Sequence, residues 1–322
     1  MNRLNDISYL RVFAMLLVVF GHCICPYSIW HDPGYTAGIQ VNTWEVTIAS
    51  ISQVHVPLFF MIAGFLFGYK RIRGGYSDRY QFVKNKIDRI LVPYIVVGIF
   101  MCLIQQRSLM EMCLGVSHLW FLMTIFECYM AGYLLEQVFW YNEKRKLALT
   151  AFCCIIVVLT VHWNLPTRIL TIERFVHYFP LYLIGMLLGS VCIEKYMRWH
   201  KEVLALFSIA LIILPIQHIF FHKPIVDQFI GLLVILPFFI LCHSFNFAYP
   251  SKWVASLDKH SMSIYVIHQI LQQEMNKLKE FHNLMINYVY LYPICQFVFL
   301  IVVSWSISYV AHKSKYAKYV IG

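Results

Sequence analysis

Apolar positions run almost unbroken in blocks of about 20 residues, each closed by a short polar or basic segment. As a helix, a block of that length crosses the ~30 Å hydrocarbon core of a bilayer, at ~1.5 Å rise per residue. Ten blocks are predicted as membrane helices: 8–27, 44–69, 87–105, 118–140, 147–163, 175–193, 203–220, 225–245, 261–273 and 288–311. The ninth is the shortest and turns polar at its end. The pattern predicts an all-α, polytopic integral membrane protein, organised as a single transmembrane domain over residues 1–322.

Composition excludes a soluble reading. Hydrophobic residues make up 60% of the chain and charged residues 13%, against roughly 45–50% and about 25% in soluble domains. The mean hydropathy of +0.65 excludes disorder as well. The net charge is +10, which in a soluble protein would raise nucleic acid as a partner. Here the cations sort by side instead. Twenty of the 26 Lys and Arg residues fall at the two ends of the chain and in the even-numbered connections. Seven of those occupy residues 70–89: Lys70, Arg71, Arg73, Arg79, Lys84, Lys86 and Arg89. Positive residues mark the cytoplasmic face, so both termini are expected in the cytoplasm, no nucleic acid is expected, and an even helix count follows. The first block is too long for a signal-peptide core and lacks a small-x-small cleavage site, so it reads as a retained helix. The ten cysteines are scattered and contain no C-x-x-C pair, which supports neither a metal site nor a disulfide frame.

Ionisable groups inside lipid-facing segments are costly and mark functional positions. Arg11 and His22 are eleven residues apart in RVFAMLLVVFGH, which places them ~16 Å apart along the axis with an angular offset of only ~20°. They share a face, with the cation at the inner end and the imidazole in the outer half. Their structural alternatives are a snorkelling anchor for Arg11 and a packing histidine for His22. His55 in QVHVPLFFMIAGFLFGY enters the second helix at a depth that matches His22. His118 opens HLWFL, and Glu127, nine residues deeper, needs a partner in a dry site or must be protonated, a salt bridge with an inward-facing arginine being its structural alternative. His268 lies in SIYVIHQ. Gly64 with Gly68 and Gly185 with Gly189 form small-x-x-x-small pairs, the spacing of close helix contacts. The basic segment 70–89 exceeds what orientation needs; it suits either anionic lipid head groups or the phosphates of a soluble cofactor.

These residues together resemble the membrane-bound acyltransferase 3 family. Arg11, ten residues, then His22 is similar to that family's R-x10-H signature; VHVPLFFMIAGFLFGY, KNKIDRILVPYIV, HLWFL and SIYVIHQ resemble its later segments, in its order. The short subgroup related to fucose 4-O-acetylases is the nearest in character. Two positions depart from the pattern: an acid often stands three residues before the helix-one arginine, where this chain has Ser8, and the family's serine-glycine in the second helix is Ala63-Gly64 here. The resemblance implies transfer of an acetyl or other short acyl group from cytoplasmic acetyl-CoA, as acyl donor without a metal, to a hydroxyl of a sugar, polysaccharide or lipid-linked glycan. It implies a multi-pass protein of the inner membrane, with the bilayer and a carbohydrate or glycolipid acceptor as partners; an oligomer is compatible with it. In that frame Arg11, Lys70, Arg71, Arg73 and Arg89 would hold the donor. His22 would act as general base on the acceptor hydroxyl or as a nucleophile, with His118 or Glu127 orienting it.

A competing class is a transporter or flippase for a sugar or glycolipid, which the composition suits equally. Such folds carry paired halves with helices broken at matching positions; Pro57, Pro93, Pro180, Pro215, Pro237 and Pro293 show no such half-to-half correspondence. A non-catalytic assembly subunit would leave the grouping of Arg11, His22 and the basic segment unexplained.

Overall fold

A computed structural model describes residues 4–29, 37–139, 148–152, 155, 169–190, 200–220, 224–244, 250–314 and 317–320. Among the described residues the regular structure is helical, with no strand. In chain order the helices are α1 (Asn5–Ile24), α2 (Asn42–Ser52), α3 (His55–Ile72), α4 (Arg79–Lys86), α5 (Val92–Ile104), α6 (Trp120–Phe139), α7 (Ile172–Ser190), α8 (His200–Phe220), α9 (Pro224–Ser244), α10 (Lys252–Lys277), α11 (Lys279–Asn287), α12 (Leu291–Ala311) and α13 (Ala317–Val320). Five stretches are long and apolar enough to cross a membrane: Asn5–Tyr27, Asn42–Ile72, Arg79–Ile104, Leu109–Gln137 and Leu291–Ala311. They correspond to the first four and the last of the ten expected spans, and Ile230–Cys242 is a shorter apolar helix. Most of the fifth expected span, 147–163, lies outside the described residues.

Prolines explain where the helices depart from the simple pattern. The second span is two helices, because Pro57 has no N–H to offer the carbonyl of Gln53. The chain turns there, with Val54 N–H donating to the Ile51 carbonyl at 2.9 Å. The Gln53 carbonyl faces Gly231, where an added Cβ would lie only 2.7 Å from that oxygen. In the third span Pro93 leaves the carbonyl of Arg89 without its usual donor, and residues Ile87–Leu91 widen into a π turn. That helical stretch also begins earlier than expected, at Arg79, with Asp78 as its N-cap accepting from Gln81 N–H at 3.2 Å. The expected short ninth span is the middle of α10, a 26-residue helix about 39 Å long.

The chain divides into two compact units, Met1–Val56 with Met197–Ser314 and Pro57–Tyr196 with Lys315–Gly322. In the first, α1 packs on α10 and α12 and also touches α2 and α9, while α8 and α9 pair along their lengths. An apolar cluster of Ile24, Tyr27, Val41, Trp44, Ile48, Met285 and Tyr292 closes one end. Two hydrogen bonds pin it: Tyr27 Oη–H to the Met285 carbonyl (3.0 Å) and Trp44 Nε1–H to the Val289 carbonyl (2.8 Å). α10 carries buried Asp258, His260, His268, Gln272 and Asn276. Lipid would reject such a helix, but here its polar face is turned onto α1 and α12 and finds partners there.

In the second unit, α3 from Pro57 onward crosses α7 at a pair of glycine motifs. A Cβ at Gly64 or Gly68 would overlap the backbone of Tyr182 or Met186, and one at Gly185 or Gly189 would overlap that of Met61 or Phe65. The two small-x-x-x-small pairs are thus each other's partners, each supplying the notch into which the other's backbone fits. Phe67, Phe82 and Tyr133 pack beneath the crossing, with Phe82 and Tyr133 stacked at 4.6 Å.

Candidate functional site

Arg11 and His22 stand on one uninterrupted helix, α1. Asp258 of α10 holds Arg11, whose Nε lies 3.0 Å from Asp258 Oδ1 and whose Nη2 donates to Oδ2 at 3.0 Å. Ser8, one turn before Arg11, donates its hydroxyl to the same Oδ2 at 2.8 Å. Eleven residues on, the rings of His22 and His268 lie 5.3 Å apart. His268 is fully buried, and its Nδ1 faces the Ile264 carbonyl at 3.0 Å. A carbonyl only accepts, so the proton sits on Nδ1 and Nε2 is the basic nitrogen. α1 and α10 therefore run parallel, Asp258 meeting Arg11 and His268 meeting His22 in the same order.

One more contact fixes the C-terminal end of α1. The His22 carbonyl would normally receive the N–H of residue 26, which is Pro26. Gln272 Nε2 donates to that carbonyl instead. Further along α10, Asn276 Oδ1 accepts from Tyr292 Oη (3.1 Å) and Gln296 Nε2 (2.7 Å). Asp258, Tyr265, His268, Gln272 and Asn276 are spaced seven, three, four and four residues apart, so they share one helical face. His55 falls at the break between α2 and α3, where its Nδ1 reaches the Ile51 carbonyl at 2.6 Å, a helix-end contact.

The second unit holds the loop cations, and their surroundings differ. Arg71 is committed: it pairs with Glu136 at 2.9 Å and donates to the Tyr76 carbonyl at 3.0 Å. Arg73 lies over the Tyr69 ring at 3.5 Å, and Lys70 over Tyr76 at 5.3 Å. Arg89 projects from the π turn and is exposed. Lys86 sits 3.3 Å from the centroid of Tyr129. Among the described residues, an aromatic ring is what holds that ammonium.

His118 is buried in a single 3-10 turn, Ser117–Leu119, that leads into α6. Glu127 accepts from Thr171 Oγ1 at 3.0 Å, and Thr124 Oγ1 lies 2.9 Å from Thr171 Oγ1. Thr171 has φ 54°, a conformation that a β-branched residue adopts only when its surroundings hold it. Glu127 thus meets a hydroxyl, and the carboxylate–arginine pair forms nine residues on, at Glu136.

Arg11 and His22 belong to the first unit; His118, Glu127, Lys70, Arg71, Arg73 and Arg89 belong to the second. Asp258 and Gln272 are the residues that sequence reasoning did not single out. The polar stripe along α10 was the available signal, obscured because the apolar window there is only thirteen residues long.

A family model described as an acyltransferase domain matches residues 4–313. No curated protein matches the chain, and no solved structure does either.

Proposed function

The chain belongs to that acyltransferase family, and from this premise we propose that it moves an acetyl or other short acyl group from acyl-CoA, bound on the cytoplasmic side, to a hydroxyl of a sugar, polysaccharide or lipid-linked glycan. The observation that carries the proposal is the α1 face, with an oriented guanidinium at Arg11 and, eleven residues on, an imidazole at His22 beside a second, buried histidine. CoA is polyanionic at one end and reactive at the other. A single face offering a cation at one end and a base at the other matches that polarity.

In the proposed step, His22 removes the proton from the acceptor hydroxyl as its oxygen attacks the thioester carbonyl carbon. The new C–O ester bond forms, the C–S bond breaks, and the CoA thiolate takes the proton back from the imidazolium. Gln272 takes the place of the N–H that Pro26 lacks and so fixes the His22 carbonyl, while the buried His268 ring lies 5.3 Å from that of His22. General-base assistance of this kind contributes about 10²–10⁴-fold.

The test compares wild type with His22→Ala at matched expression, using radiolabelled acetyl-CoA with envelope glycan or lipid-linked sugar as acceptor. Label should reach the acceptor with wild type and be absent with the variant. Normal labelling by a well-inserted His22→Ala protein refutes the mechanism. Failure of the wild type to bind or turn over acyl-CoA would move a sugar or glycolipid transporter into first place.

A further inference from the structure

Position 8, where the family pattern often carries an acid, is serine in this chain, and a carboxylate reaches Arg11 from α10 instead. The manner of its approach is informative. Asp258 takes the inner edge of the guanidinium, one oxygen near Nε and the other accepting from Nη2. Its side chain is 5% exposed, while that of Arg11 is 36% exposed. The carboxylate is therefore interior, while part of the Arg11 side chain stays exposed. A guanidinium has five N–H donors in one plane. Nη2 gives one hydrogen to Oδ2 and Nε faces Oδ1 in the ion pair, which leaves two donors side by side on the outer edge, one from Nη1 and one from Nη2. That edge is the one that grips a phosphate with two parallel bonds.

An arginine without such a partner swings on a long flexible stem and seeks lipid phosphates at the membrane surface. Held by its inner edge, Arg11 keeps a fixed plane, and the loss of rotamer freedom has already occurred before an anion arrives. Ser8 completes the arrangement by fixing the carboxylate through Oδ2. Asp258 neutralises part of the charge, which weakens long-range attraction. At hydrogen-bond range, direction decides the strength of a bidentate contact.

We infer that Asp258, fixed by Ser8, is a positioning residue for the acyl donor: it holds Arg11 so that its outer edge receives a phosphate of CoA. The inference rests on the reading that acyl-CoA is the donor, and two separate readouts keep the two apart.

The first readout is binding of CoA itself to the full-length protein in nanodiscs by calorimetry; the second is the KM for acetyl-CoA. Asp258→Asn should weaken CoA binding and raise KM about tenfold or more, with the smaller part of the loss in kcat, since misdirecting a clamp by ~1 Å costs up to ~10²-fold. Asp258→Glu keeps the charge and should recover most of the loss. Ser8→Asp/Asp258→Ser returns the carboxylate to helix one and should bind CoA within about threefold of wild type. Ser8→Ala keeps the ion pair, so it is expected to fold, and should weaken binding by about threefold, the effect of one lost hydrogen bond. A merely structural ion pair would move thermal stability in these variants and leave Kd and KM unchanged. Wild type that does not bind CoA overturns the donor reading, and this inference with it. Wild type that binds CoA while folded Asp258→Asn, or Ser8→Ala where Asp258→Asn cannot be purified, binds it equally well overturns the positioning role alone.

Discussion

Replacing Gly185 by alanine sets two effects of opposite sign against each other. Alanine in a helix interior is favoured over glycine by about 1 kcal/mol, so a substitution in open space would stabilise α7. At Gly185 the new methyl would overlap the Met61 carbonyl and lie 2.9 Å from the Phe65 nitrogen. Both neighbours are backbone and cannot rotate away, so the crossing of α3 and α7 must widen. Overpacking of this kind costs about 1–3 kcal/mol, and rigid backbone puts it at the upper end. The net expectation is a loss of about 1–2 kcal/mol, or roughly 2–5 °C in Tm for a protein of this size. Gly98→Ala in α5 is the control. There the nearest atom to a new Cβ is the Met112 Cε at 3.2 Å, the far end of a flexible side chain, so stability should hold or rise by up to about 1 kcal/mol. Fluorescence-detected size-exclusion thermostability on both variants in detergent reads the contrast directly. A Gly185→Ala protein that melts at or above Gly98→Ala would refute the close-crossing argument. Gly64→Ala strikes the same crossing from the other side, and the double variant should fall short of the sum of the two.

Other expectations follow from single contacts. Gln272→Leu removes the amide that donates to the His22 carbonyl, and should cost about 1–3 kcal/mol; an unchanged Tm would show that this bond adds nothing to stability. Arg71→Ala and Glu136→Gln break the same 2.9 Å ion pair, so each should lower Tm by a similar amount, and the double variant by no more than the worse single; additive losses would mean that the pair is not coupled. His260, which precedes the expected ninth span, lies 2.7 Å from Ser308 Oγ and 4.6 Å from the His312 ring. Burial, with His312 and Lys259 beside it, lowers its pKa to about 4. The unfolded chain then binds a proton that the folded one refuses, so stability is full above about pH 6.5 and falls as the pH drops toward 4. His260→Gln should flatten that slope in a thermal-stability series across pH, and an unchanged slope would place its origin elsewhere.

Several features were written into the chain because they depend on near neighbours. Block length and hydropathy gave the first four spans and the last, since crossing lipid requires only a sustained apolar helix. The eleven-residue step from Arg11 to His22 determined a shared face by helical period alone, and the 3,4-spacings of glycine marked close-packing surfaces without naming their partners. Tertiary structure decided what depends on distant residues meeting. Gly64 and Gly68 found Gly185 and Gly189, more than a hundred residues away. Glu136, not Glu127, took the arginine, because Arg71 at the end of α3 lies beside the last turns of α6. The carboxylate missing from position 8 came from Asp258 on α10. Local pattern reports which surfaces need a partner. Which partner each one gets is settled by packing, because a buried charge or carbonyl is stable only beside the group that the fold carries to it.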